Sequence, residues 1–108
     1  MTHTIEINQT SSGTPSTWSF NTQKFTENVY LRQIIVKSLT GDTTFDFYIL
    51  DGTKNSNPIF DTRDEVAATG TLRREVNIPL VGIHTIAITN ASRNEAFTGK
   101  LVIEERIR

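Results

Sequence analysis

The most constraining feature of this 108-residue chain is a series of short segments in which apolar and polar residues alternate. Successive side chains of a β-strand point to opposite faces of the sheet, so a period of two is typical of strands with one buried face. Polar turns separate the segments at intervals of roughly ten residues, and no long segment has the period of a helix. Eight strands are predicted, at 2–8, 17–22, 29–36, 44–50, 58–60, 71–78, 83–89 and 97–104.

This spacing predicts an antiparallel arrangement, because a parallel α/β fold would need a crossover helix between successive strands. We therefore expect residues 1–108 to form a single all-β domain, an eight-stranded antiparallel β-sandwich. Jelly-roll connectivity is favoured, since the chain has no cysteine and so lacks the Cys-Trp-Cys framework of antibody domains. Gln33 interrupts the alternation of its strand and predicts a β-bulge, and Pro58 predicts an edge strand.

One segment carries a helix signal. Thr62 and Glu65 have the spacing of a capping box, and Gly70 follows as a stop. We expect at most one short helix, near 62–69.

The composition narrows the class of partner. Lysine and arginine total 11 against 12 aspartate and glutamate residues, a net charge of −1, which gives no electrostatic basis for binding nucleic acid or an anionic membrane. Disulfides and thiolate zinc sites are excluded without cysteine, and no apolar run approaches the ~20 residues that span a bilayer. The first residues also lack the pattern of a secretory leader, so we expect a soluble protein without nucleic-acid or membrane partners.

No catalytic motif stands out. His84 lies in an apolar strand without a sequence-defined partner, and we interpret it as a core residue rather than a general base. Ser38 and Ser92 lack the flanking glycines of a nucleophile elbow. We expect no catalytic residue, no metal site and no cofactor.

Two groups of residues are candidates for binding. Tyr48 and Leu50 lie on the more polar face of their strand and, with Tyr30, are candidates for a subunit interface, although packing within the domain is an equal alternative. Tyr30 and Tyr48 with Trp18 are also an alternative platform for stacking sugar rings, but Trp18 alternates with Phe20 and is expected in the core.

Loop oxygens form the second group. The candidate ligands for a glycan, with or without calcium, are Asp51, Asn55, Asn57 and Asp61. Asp42, Asp64 and Glu65 extend the set of acids, but their spacing does not match a dedicated calcium loop, and the same residue types are common in turns.

The segments TTFDFYILDG, GIHTIAITNAS and FTGKLVIEE, at 43–52, 82–92 and 97–105, resemble strands of small β-sandwich accessory proteins of tailed-phage virions. Such proteins decorate capsids or join tail and baseplate parts. The resemblance covers most of the chain and implies a non-enzymatic decoration (cement) or tail-associated subunit. It also implies a homo-oligomer, with a trimer favoured, that binds a larger assembly such as a capsid and is located in the virion.

The final strands also resemble jelly-roll carbohydrate-binding modules. That resemblance leaves glycan binding as the alternative function, and a cytoplasmic or otherwise soluble location as the alternative to the virion.

Overall fold

The computed structural model describes residues 1–26, 28–39, 44–54, 57–63, 65 and 68–106, and these form strands without a helix. The strands are β1 (Thr2–Thr10), β2 (Ser16–Asn21), β3 (Val29–Ser38), β4 (Thr44–Leu50), β5 (Pro58–Asp61), β6 (Ala68–Thr69), β7 (Thr71–Pro79), β8 (Thr85–Ala91) and β9 (Ala96–Glu105).

Two antiparallel sheets pack face to face. Sheet I has the order β1-β9-β3-β7, and sheet II has the order β2-β8-β4-β5, with the two-residue β6 also paired to β4. Consecutive strands therefore alternate between the sheets at most steps, which is the jelly-roll connectivity. The predicted all-β jelly-roll sandwich is confirmed.

The core lies between the sheets and is built from the alternating residues. Trp18 is 4% exposed and stacks on Phe20 with ring centroids 5.9 Å apart. Phe97 meets the edge of Phe45 at 5.1 Å and also contacts Trp18. Leu101 and Ile103 continue the buried face of β9. The interpretation of Trp18 as a core residue is confirmed, so it is not part of a surface platform.

Two local predictions are also confirmed. The register of β3 shifts between Leu31 and Gln33 against both of its neighbours, which is the predicted bulge. The shift lets Leu31 and Ile34 both face the core, at 1% and 0% exposure. Pro58 begins β5, which is an edge strand of sheet II.

No helix forms among the described residues of the segment 62–69, where the sequence allowed at most one. Asp64, Val66 and Ala67 lie outside the described residues, while Ala68–Thr69 form β6 opposite Phe45 and Thr44. The Thr62 hydroxyl does not cap a helix. It accepts a hydrogen bond from the Phe47 amide (2.9 Å) and donates one to the Phe47 carbonyl (3.1 Å), because the chain continues along the edge of β4.

Candidate functional site

The register places several loops at the same end of the sandwich. Thr2 at the start of β1 lies opposite Glu104 near the end of β9, and Asn21 at the end of β2 lies opposite Thr85 at the start of β8. The loops after β2, β4 and β7 therefore meet at this end, which we call the terminal end because Met1 and Arg106 lie there.

Two of the four predicted loop ligands are neighbours at the terminal end. The Asp51 amide donates to the Asn57 carbonyl at 2.9 Å, and both residues are exposed. Asn55 lies outside the described residues. Asp61 lies elsewhere, opposite Tyr48 on the sheet, about 10 Å further along the strands at the usual rise per residue.

Asp61 belongs instead to a group that we call the Tyr48 cluster: Tyr48, Asp61 and Arg63. Phe47 and Ile49 are buried, so Tyr48 between them projects from the outer face of sheet II. The Arg63 guanidinium lies over the tyrosine ring, 4.2 Å from its centroid. The same guanidinium donates to both carboxylate oxygens of Asp61, with Nε to Oδ1 at 2.9 Å and Nη2 to Oδ2 at 2.9 Å.

A second group of the same composition lies on sheet I. In this Tyr30 cluster, the Arg106 guanidinium is 4.1 Å from the centroid of the Tyr30 ring, and Arg106 Nε donates to Glu104 Oε1 at 2.8 Å. Tyr30 lies opposite Glu104 and between the buried Val29 and Leu31, so it projects from the outer face of sheet I.

The electrostatics of the two clusters are alike. The hydrogen bond from Arg63 lowers the pKa of Asp61, and the hydrogen bond from Arg106 lowers the pKa of Glu104. The Glu104 carboxylate in turn raises the pKa of Arg106. Both carboxylates therefore stay ionised and hold their arginines in place at neutral pH.

The structure thus places the predicted interface tyrosines on opposite faces of the sandwich, so Tyr30, Tyr48 and Trp18 do not form one platform. The partners Arg63 and Arg106 were not predicted from the sequence. A signal was present, since each arginine follows an acidic residue by two positions at the end of a strand, in Asp61-Thr62-Arg63 and Glu104-Glu105-Arg106.

Leu50 is half-buried at the end of β4, and its backbone has a structural role. The Leu50 carbonyl oxygen lies 2.9 Å from His84 Nδ1, so the ring nitrogen carries the proton and donates it. His84 is 1% exposed and stacks against Phe25, with ring centroids 6.5 Å apart. The interpretation of His84 as a core residue is confirmed.

A buried polar network closes the opposite end. Ser38 Oγ donates to Glu95 Oε1 at 2.8 Å, and the Glu95 amide donates to Ser11 Oγ at 3.0 Å. Ser11 Oγ donates in turn to the Ser92 carbonyl at 2.7 Å. Because these bonds join the loops before β2, β4 and β9, the network holds the loops together.

A pocket of about 270 Å³ opens at the terminal end, between β1 and the loop after β2. Its lining includes the apolar residues Phe25, Val29 and Ile103 and the charged residues Lys24 and Glu105. The pocket therefore combines an aromatic ring with hydrogen-bonding groups.

Of the remaining acids of the predicted calcium set, Glu65 is the one that the structure describes. Glu65 accepts from Arg74 Nη2 at 2.5 Å, whereas Asp42 and Asp64 lie outside the described residues. Within the described ranges, no three histidine, cysteine, aspartate or glutamate side chains form a group that could hold a metal ion.

In the part of the chain that the structure describes, no helix has the length and apolar character needed to cross a membrane.

No protein-family model matches the chain, and no curated protein shows significant sequence similarity to it.

Proposed function

We propose that this protein is a non-enzymatic structural subunit that binds a larger protein assembly, with the shell or tail of a phage virion as the proposed setting. The observation that carries the proposal is the pair of tyrosine-arginine clusters, one on the outer face of each sheet. Tyrosine and arginine are the residue types, with tryptophan, that supply most of the binding energy at protein interfaces.

The geometry of the clusters supports this role. A free arginine side chain loses considerable rotamer freedom when a partner immobilises it. Arg63 is already held against Tyr48 and hydrogen-bonded to Asp61. A partner that binds there therefore costs the Arg63 side chain little additional rotamer entropy. The same holds for Arg106 between Tyr30 and Glu104. Because the clusters lie on opposite faces, one copy has two surfaces for separate neighbours in an assembly.

The test is cosedimentation of the purified protein with particles isolated from cultures of cells that carry its gene. The expected result is saturable retention, reduced at least tenfold by Tyr48→Ala, since loss of a hot-spot side chain costs about 2 kcal/mol or more. Ser19→Ala is the matched control, because Ser19 is exposed on β2 of the same sheet. Absence of the protein from sedimented particles, or equal loss with both variants, would refute the proposal.

A second function is favoured by the pocket beside Phe25. We propose glycan binding as the alternative, with a sugar ring against Phe25 and its hydroxyls bonded to Gln23, Lys24 and Glu105. The volume of about 270 Å³ suits a single sugar ring more closely than a long oligosaccharide. A glycan array with and without chelator tests it, and a blank array in both conditions would exclude it.

A further inference from the structure

Among the described residues, no strand pairs with the outer side of the first strand, because β1 is an edge strand of sheet I. Met1 and Glu105 exchange two hydrogen bonds, and the Ser11 amide donates to Glu95 at the other end of the same ladder. Bonded pairs in an antiparallel ladder alternate, so the odd-numbered residues of β1 face β9. The even-numbered residues direct their N–H and C=O groups to the open edge of sheet I. These residues are Thr2, Thr4, Glu6, Asn8 and Thr10.

The two edge strands of sheet I differ in how far their residues discourage pairing with a strand of another chain. The edge strand β7 carries Arg73, Arg74 and Glu75, and Pro79 has no N–H to offer a partner strand. Charged residues and proline are the usual protection of an edge against pairing with another chain. The strand β1 has nine residues, of which only His3 and Glu6 have ionisable side chains, and it has no proline. This edge is therefore suited to pairing.

A second copy of the chain is the partner that the residue pattern favours. Two β1 strands related by a two-fold axis pair antiparallel, and a register centred on Glu6 would place the two carboxylates directly opposite, which is destabilising. A register centred on Ile5 places Glu6 opposite Thr4 of the second copy. Ile7 is already buried, with 2% of its surface exposed, whereas Ile5 is only partly buried and lines the pocket. A neighbouring strand would therefore bury more apolar surface at Ile5 than at Ile7.

We propose that β1 pairs antiparallel with β1 of a second copy, in the register centred on Ile5, so that two sheets I become one continuous sheet. In this register Thr2 faces Asn8 and Thr4 faces Glu6 across the two-fold axis, which gives roughly eight backbone hydrogen bonds. The dimer rests on the open edge and not on the tyrosine-arginine clusters. It gives a dimer, in place of the trimer favoured from the sequence.

Sedimentation velocity over a concentration series is the first test, with proline variants at the two edges. Thr4→Pro removes an N–H from the open edge and leaves the bonds to β9 in place, and it should raise the dimer dissociation constant at least tenfold. Arg73→Pro is the matched control, because the Arg73 N–H faces away from β3 on the protected edge. Circular dichroism establishes that both variants remain folded.

Single cysteines test the register, since the chain has no cysteine of its own. In the Ile5-centred register the two Ile5 Cα atoms lie about 4.5 Å apart, within the range of a disulfide. Ile5→Cys should therefore form a covalent dimer on mild oxidation. His3→Cys should not, although His3 is more exposed, because the two cysteines would lie about 13 Å apart.

The outcomes separate this dimer from the proposed function. A monomeric wild-type chain, equal association of the Thr4→Pro and wild-type proteins, or equal crosslinking of the two cysteine variants would overturn the β1 pairing. A monomer that still cosediments with particles would overturn the pairing alone. A dimer with the expected variant behaviour but no affinity for particles would support the pairing and refute the proposed function.

Discussion

Replacing Gly99 with alanine should destabilise the sandwich more than its single added methyl group suggests. Gly99 lies in the middle of β9, opposite Val36 on one side and Ile7 on the other. A Cβ atom at this position would lie 3.0 Å from the Ile35 carbonyl carbon and from the Val36 Cα, and closer still to the Ile35 carbonyl oxygen. Carbon atoms in favourable contact are about 3.5 to 4.0 Å apart, so β3 and β9 must separate.

The magnitude follows from what that separation disturbs. Overpacking a core costs about 1–3 kcal/mol, and each backbone hydrogen bond weakened beside the contact contributes about 1 kcal/mol. With two of these hydrogen bonds partly weakened, we expect the free energy of unfolding to decrease by about 3 kcal/mol. For a domain of 108 residues this corresponds to a fall in Tm of roughly 10–20 °C.

The assay is urea unfolding followed by circular dichroism, with Gly82→Ala as the control. Gly82 has φ +82°, which costs a non-glycine residue about 1–2 kcal/mol, but no atom of the described residues lies within 4 Å of its added Cβ. Gly99→Ala should therefore lose more stability than Gly82→Ala. Equal losses, or a Gly99→Ala midpoint within error of the wild type, would refute the argument from close strand approach.

Three further predictions follow from the described contacts. The pKa values of Asp61 and Glu104 are lowered from 3.8 and 4.5, so the unfolded chain takes up protons first on acidification. The contribution of these two carboxylates to the free energy of unfolding should therefore be constant around neutral pH and decrease below about pH 4. An unchanged midpoint of urea unfolding at pH 3 would contradict this. His84→Leu removes the donor to the Leu50 carbonyl, so we expect a loss of about 1–3 kcal/mol in urea unfolding, and a neutral effect would show that this bond contributes little. Trp18 is 4% exposed, so its fluorescence should resist acrylamide in the native state and become quenched on unfolding, whereas strong native quenching would place the ring at the surface.

Several features of the fold follow from local sequence. The alternation of Trp18 with Phe20, and of Phe97 with Leu101, identifies which residues face the core, because a strand has only two faces. The break at Gln33 identifies the bulge for the same reason. Local sequence fails at Thr62, whose capping-box spacing is overridden by its bonds to Phe47, fifteen positions earlier in the chain.

The candidate site shows a similar division. Tyr48 and Tyr30 are recognisable as outward-facing residues, yet alternation does not say that their strands lie in different sheets. The partner Arg106 is far from Tyr30 in sequence and meets it only because β3 and β9 are adjacent.

By itself, the sequence determined every strand except β6, together with their buried faces, the bulge and the proline-led edge, since each depends on the geometry of one short segment. Strand order, the open edge at β1 and the arginines over Tyr30 and Tyr48 depended on which distant segments lie side by side. Pairing of distant strands is decided by the packing of the whole core, and only the tertiary structure contains that information.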